Sequence, residues 1–299
     1  MSKELKSWIL LILLSLIWGS SFILMKRGMF SLDGQTIFSD TQVASLRMII
    51  AGTVLLPFTL KSLRILKNPS TFLFLFSIGL LGNLLPAFLF TYAETSISSG
   101  LTGMLNSLTP IFALSIGFLI FKQKLTKIQV SGVVVGIIGA ILLVYFGNDS
   151  KLSGDTPHLL AIILATLCYG ISLNIIKHKL CHLKSIEIAS LAFLTVLIPS
   201  IVIGFFSGSF VEIQTNENAA EGLFFIAVLS IIGTAIALIL FNQLIALTSV
   251  LFSSSVTYLI PVVAMLIGVV FGESITLIQV ASMLVILSGV FVANVLGRK

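Results

Sequence analysis

The side chains in this chain with chemistry to offer are few, and nearly all are uncharged. Arg47, in Ala44-Ser45-Leu46-Arg47, is the one charged residue well inside an apolar stretch. Hydrogen-bonding side chains stand singly among hydrocarbons elsewhere: Ser21, Asn83, Tyr92, Asn106, Asn174, Gln243, Ser254, Thr257 and Tyr258. In an apolar medium such groups are costly, and they mark either a solute pathway or bonds between helices. Two prolines, Pro110 and Pro261, fall near the middle of apolar runs. Proline lacks the N–H that would bond the carbonyl four residues back. The carbonyls of Asn106 and Thr257 are thereby freed, and at mid-membrane such groups belong against protein or a wet cavity. Trp18 and Tyr169 are suited to the wall or gate of a site for a partly apolar solute. All of this is the chemistry of reversible recognition. Arg47 has two readings: a cation that attracts a carboxylate, or one that caps helix-end carbonyls and snorkels to the surface.

Covalent chemistry has less to work with. No Asp or Glu sits at the centre of an apolar run; Glu94, Glu187 and Glu273 lie at or near ends, and His158, His178 and His182 lie at ends or in loops. A membrane-embedded enzyme acting on lipid-linked substrates is therefore disfavoured. Cys168 and Cys181 make no disulfide framework and no zinc-ligand spacing exists. No GxxxxGK[ST] phosphate loop is present, so no ATP-driven pump is expected within this chain. No cofactor or metal is expected. The missing central carboxylate favours facilitated transport, exchange, or coupling through an end-of-helix acid, and argues against a site dedicated to organic cations.

The elements that must position these residues are membrane spans. The chain is 57% hydrophobic and 9% charged, with mean hydropathy +1.16, where a soluble domain carries about a quarter charged residues. Apolar stretches fall at about 8–26, 41–60, 70–93, 99–121, 127–147, 157–177, 186–207, 221–245, 250–271 and 277–297. That makes ten helical spans. With the N-terminus inside, 13 of the 17 basic residues fall on the cytoplasmic side (Lys3, Lys6, Lys61, Arg64, Lys67, Lys122, Lys124, Lys127, Lys177, Lys179, Lys184, Arg298, Lys299). Only Lys26, Arg27 and Lys151 fall outside. This positive-inside bias places both termini in the cytoplasm, and it assigns the net charge of +6 to cytoplasmic loops rather than to nucleic-acid binding. The basic, apolar N-terminus imitates a signal peptide but reads as an uncleaved first span, because its motif recurs internally.

That recurrence organises the chain. Leu16-Ile17-Trp18-Gly19-Ser20-Ser21 returns as Leu167-Cys168-Tyr169-Gly170-Ile171-Ser172, with Lys26 matched by Lys177. Leu108-Thr109-Pro110-Ile111 returns as Leu259-Ile260-Pro261-Val262, and Thr126-Lys127-Ile128-Gln129 as Thr276-Leu277-Ile278-Gln279. Five spans per half, an odd number, force opposite orientations: two inverted repeats, residues 1–148 and 149–299, in an all-α polytopic membrane protein. Gly132 and Gly136 form a GxxxG pattern for close helix packing. Packing within a monomer is its default use, and a homodimer contact stays open.

These features resemble the drug/metabolite transporter superfamily, in particular its EamA-type ten-helix members. The resemblance rests on Trp18-Gly19-Ser20-Ser21-Phe22, on Arg47 early in span 2, and on Tyr258-Leu259-Ile260-Pro261-Val262 mirrored by Ser107-Leu108-Thr109-Pro110-Ile111. It rests also on Phe271-Gly272-Glu273 followed by Ile278-Gln279-Val280 and Ser288-Gly289-Val290. One departure is that the acidic residue after the fourth helix of each half survives as Glu273 but is Gln123 in the first half. The resemblance implies a secondary transporter of small metabolites, amino acids or drugs, that works by alternating access in the cytoplasmic membrane. An exporter is the leading expectation and an importer or exchanger of the same fold the alternative. It also implies that spans 1, 3, 4, 6, 8 and 9 surround the cavity, so that, together with Arg47 of span 2, Trp18, Ser21, Asn83, Tyr92, Asn106, Pro110, Tyr169, Asn174, Gln243, Ser254, Thr257, Tyr258 and Pro261 are the substrate-site candidates.

Overall fold

A computed structural model of the chain describes residues 2–146, 156–248 and 256–296. Among these, the only paired extended backbone is an isolated bridge between Phe30 and Thr36; the remainder is helix and turn. The first seven long helices are α1 (Lys3–Met29), α2 (Asp40–Leu60), α3 (Pro69–Glu94), α4 (Ser99–Leu119), α5 (Lys127–Phe146), α6 (Thr156–Lys179) and α7 (Ser185–Phe206). Helix α8 runs from Ala219–Ser230 through Ile231–Ile236 into Ala237–Leu247, followed by α9 (Val256–Val270) and α10 (Leu277–Asn294). Helices α1 to α8 are each long and apolar enough to cross a membrane, and α9 and α10 are shorter apolar helices. The first residues of the span expected at 250–271 lie outside the described residues. The chain is an all-helical integral membrane protein.

Local chemistry sets the helix starts. Ser39 and Gln42 cap α2 reciprocally, side chain to backbone in both directions, and Asn68 with Pro69 opens α3. Thr126 with Gln129 and Thr276 with Gln279 make the same reciprocal cap at α5 and α10. The repeated Thr-x-x-Gln of the sequence is thus a pair of helix starts.

Helices α5 and α10 join the two halves through glycine. A Cβ placed on Gly132 would stand 2.6 Å from the Gly289 carbonyl oxygen, and one on Gly139 would stand 2.7 Å from the Ile286 nitrogen. The backbones touch, so the GxxxG pattern is occupied inside the chain. Three helices are interrupted. Helix α4 breaks between Asn106 and Thr109, with Pro110 in the first turn of its second piece. Helices α3 and α8 each carry a π segment, Leu80–Leu84 and Ile231–Ile236, whose starts are 151 positions apart, as are Trp18 and Tyr169 and the prolines Pro110 and Pro261. Wide turns of this kind free backbone groups from the regular ladder and recur at functional sites.

Candidate functional site

The repeated aromatic-Gly-x-Ser motif, Trp18 to Ser21 and Tyr169 to Ser172, builds two equivalent helix crossings. On α1, a Cβ at Gly19 would press into Val263 and sit 3.2 Å from the Ile260 carbonyl oxygen, flanking Pro261 on α9. On α6, a Cβ at Gly170 would stand 2.9 Å from the Ala113 nitrogen, just past Pro110 on α4. The serines two residues on face the π segments: Ser21 Oγ would lie 3.2 Å from a Cβ on Gly233, and Ser172 Oγ 2.5 Å from one on Gly82. Each half therefore threads α1 or α6 between a proline helix and a π segment of the other elements. Only small residues fit there, which explains why the motif repeats.

Aromatic rings line these crossings. The Trp18 indole N–H donates to the Gly233 carbonyl at 3.1 Å, inside the α8 π segment, and its ring lies 5.2 Å from Phe241. Tyr169 stacks on Phe90 at 5.9 Å, and Phe90 meets Phe22 at 5.9 Å. Arg47 reaches this row from α2. Its Nη1 contacts the Met25 sulfur at 3.6 Å. Its Nε is buried and has no partner among the described residues.

The other predicted residues divide. Asn174 is spent on packing: its amide donates to the Ala113 carbonyl at 2.8 Å and the Gly170 carbonyl at 2.9 Å, tying α6 to α4. Asn83 donates to the Ile78 carbonyl at 3.4 Å across its own π segment. Asn106 accepts from the Thr109 hydroxyl at 3.3 Å, at the break in α4. Tyr258 donates to the Val290 carbonyl at 3.3 Å and so links α9 to α10, while Thr257 beside it is half-buried. Tyr92 is 37% exposed and stacks on His158 at 4.5 Å, apart from the aromatic row, and Gln243 is exposed. Ser254 lies outside the described residues.

Sequence reasoning passed over a polar cluster where α1, α3, α4 and the α9–α10 turn meet. The Glu273 carboxylate accepts from the Ser99 N–H at 2.7 Å, the Gly100 N–H at 2.8 Å and Lys26 Nζ at 3.2 Å. It thus holds the first turn of α4, where unpaired N–H groups and the positive end of the helix dipole favour an anion. Glu94, at the end of α3, is 1% exposed; one oxygen accepts from the Ser99 hydroxyl at 3.3 Å and the other, Oε1, has no partner among the described residues. A cavity of about 290 Å³ lined by Ile23, Lys26, Arg27, Phe271 and Glu273 opens above this cluster.

Its pseudo-equivalent gathers around Gln123. Gly272 (φ 86°) and Lys122 (φ 53°) make matching left-handed turns that fold the next residue back, so that Glu273 N donates to the Gly268 carbonyl and Gln123 N to the Gly117 carbonyl, each at 2.9 Å. Gln123 Nε2 then meets Asn174 Oδ1 at 3.2 Å and His178 Nε2 at 2.6 Å. One end is held by charge, the other by neutral hydrogen bonds. Among the described residues no group of three His, Cys, Asp or Glu is placed to hold a metal ion.

Two related halves of apolar helices, interrupted at matched points around an aromatic and polar centre, make up a membrane transporter fold. The chain belongs to the EamA-like transporter family, which matches residues 5–145 and 156–295. Its relatives carry transporter names. An uncharacterized transporter of Archaeoglobus fulgidus is 27% identical over 139 residues, 46% of this chain and 48% of that one, so this alignment spans about half of each protein. The uncharacterized inner membrane transporter YedA of Escherichia coli (strain K12) is 26% identical over 87% of this chain and 80% of its own. A probable amino-acid metabolite efflux pump of Salmonella typhimurium is 23% identical over 98% of this chain and 95% of its own. A solved crystal structure superposes with a TM-score of 0.61 over 98% of this chain and 97% of that chain at 17% identity, a likeness of fold.

Proposed function

We propose that this protein is a ten-span secondary transporter of the cytoplasmic membrane, built as two inverted halves (residues 1–148 and 149–299), which exports amino acids or related small metabolites by alternating access. The carrying observation is the unequal pair of closures. Lys26 and Glu273 tie α1 and the α9–α10 turn to the start of α4, while Gln123, Asn174 and His178 form the matching contact at the opposite end. Two latches at opposite ends of a pseudo-symmetric bundle are what a carrier needs if only one opens at a time. With both termini cytoplasmic, as the lysine and arginine bias expects, the Lys26 latch is the outer one. The amino-acid reading draws on the name of the Salmonella relative, and the inner-membrane reading on that of YedA. Inside-out vesicles from cells expressing the protein should accumulate labelled amino acids faster than right-side-out vesicles. Equal rates in vesicles lacking the protein remove the proposal.

A further inference from the structure

We propose that Arg47 and Glu94 form a zwitterion-reading pair, Glu94 Oε1 accepting the ammonium of an α-amino acid and Arg47 Nε donating to its carboxylate. The inference rests on the amino-acid reading above and deepens it by naming the atoms that recognise the substrate. Its basis is a pair of orphans. Glu94 Oε1 and Arg47 Nε are both buried and both lack a hydrogen-bond partner among the described residues. Leaving one such group unpaired is costly, and more so when it is charged. Arg47 rests on Met25, one turn after Phe22 on α1; Phe22 meets Phe90 at 5.9 Å, one turn before Glu94 on α3; and no ion pair joins Arg47 to Glu94 among the described residues.

The neighbours that should neutralise them are engaged. The second Glu94 oxygen holds the Ser99 hydroxyl at 3.3 Å, and the nearby Lys26 bonds Glu273 at 3.2 Å. Arg47 Nη1 rests on the Met25 sulfur, a weak acceptor. A bound group with a positive and a negative end satisfies both orphans at once; a simple anion or cation satisfies one and leaves the other. Phe90 lies one turn before Glu94 on α3, with Tyr169 stacked on it at 5.9 Å. They supply an apolar wall for the amino-acid side chain.

The test is competition against counterflow in proteoliposomes, with labelled L-leucine as reporter and three unlabelled probes. These are L-leucine, isoamylamine (which lacks the carboxylate) and 4-methylpentanoate (which lacks the ammonium). In the wild type, L-leucine should compete and the two truncated probes should be weaker by about 10-fold or more, the size of one lost charge-assisted bond. In Glu94→Gln the preference for leucine over 4-methylpentanoate should collapse while that over isoamylamine persists. Arg47→Gln should give the reverse. If either variant fails to fold, the wild-type ranking decides alone: equal competition by either truncated probe overturns the pair. Unchanged preferences in folded variants overturn it too and leave the amino-acid reading standing. No leucine counterflow in the wild type, with flux of other solutes intact, overturns both.

Discussion

Glu273→Gln is the most informative single substitution outside the candidate substrate site. In the wild type, Oε1 takes the Ser99 N–H and Lys26, and Oε2 takes the Gly100 N–H. The amide keeps one oxygen, so one backbone N–H of α4 faces an NH2 group in place of its acceptor. An unsatisfied buried donor costs about 1–3 kcal/mol. The lost attraction to Lys26, whose side chain is 32% exposed, adds about 0.5–1 kcal/mol after solvent screening. The sum, about 1.5–4 kcal/mol, corresponds to roughly 10- to 900-fold in the opening equilibrium of this end. Amide hydrogen exchange reads that equilibrium directly. The segment carrying Ser99 and Gly100 should exchange faster by that factor, while α7, packed on α2 and not on the latch, should not change. Unchanged exchange at Ser99 and Gly100 refutes the idea that Glu273 holds the end of α4.

Trp18→Phe keeps the ring against Phe241 but removes the N–H bond to the Gly233 carbonyl; thermal unfolding in detergent should show a loss of about 0.5–1.5 kcal/mol, with slower transport. Gly170→Ala should be worse than its size suggests, about 1–3 kcal/mol, because the new methyl meets the backbone at Phe112 and Ala113; normal melting and transport together contradict the crossing described. Gln123→Glu restores in the first half the acid found in the second, beside His178 and on the side of the Lys-rich loop. It should slow turnover in counterflow without lowering the melting temperature. Lys122→Gly removes a side chain from a left-handed backbone and should raise stability by about 0.5–1 kcal/mol, measured by the same melts.

The helices were legible in the sequence because a bilayer demands long apolar runs, and the repeat because aromatic-Gly-x-Ser and Thr-x-x-Gln keep their spacing in both halves. Pro110 correctly marked the break in α4. The π segments were not legible. Leu80–Leu84 and Ile231–Ile236 have no composition of their own, and the groups that face Gly82 and Gly233 there, Ser172 and Ser21, come from helices distant in the chain. The acids at helix ends were read as peripheral, since sequence gives the position along a helix but not what folds over it. Glu94 is 1% exposed at the end of α3, and the groups bonded to Glu273 lie 173, 174 and 247 positions away in the chain. Asn174 shows the converse: a mid-span amide that sequence offers to a substrate and the fold uses to join α6 to α4.

Counterflow with the purified protein tests the central claim most directly. Proteoliposomes loaded with unlabelled L-leucine and diluted into labelled L-leucine should accumulate label transiently above equilibrium, with saturable kinetics and no unitary currents in planar bilayers. Only a carrier whose site faces one side at a time gives that overshoot. A flux that rises linearly with concentration, shows no overshoot and appears as discrete conductance steps contradicts alternating access in this protein.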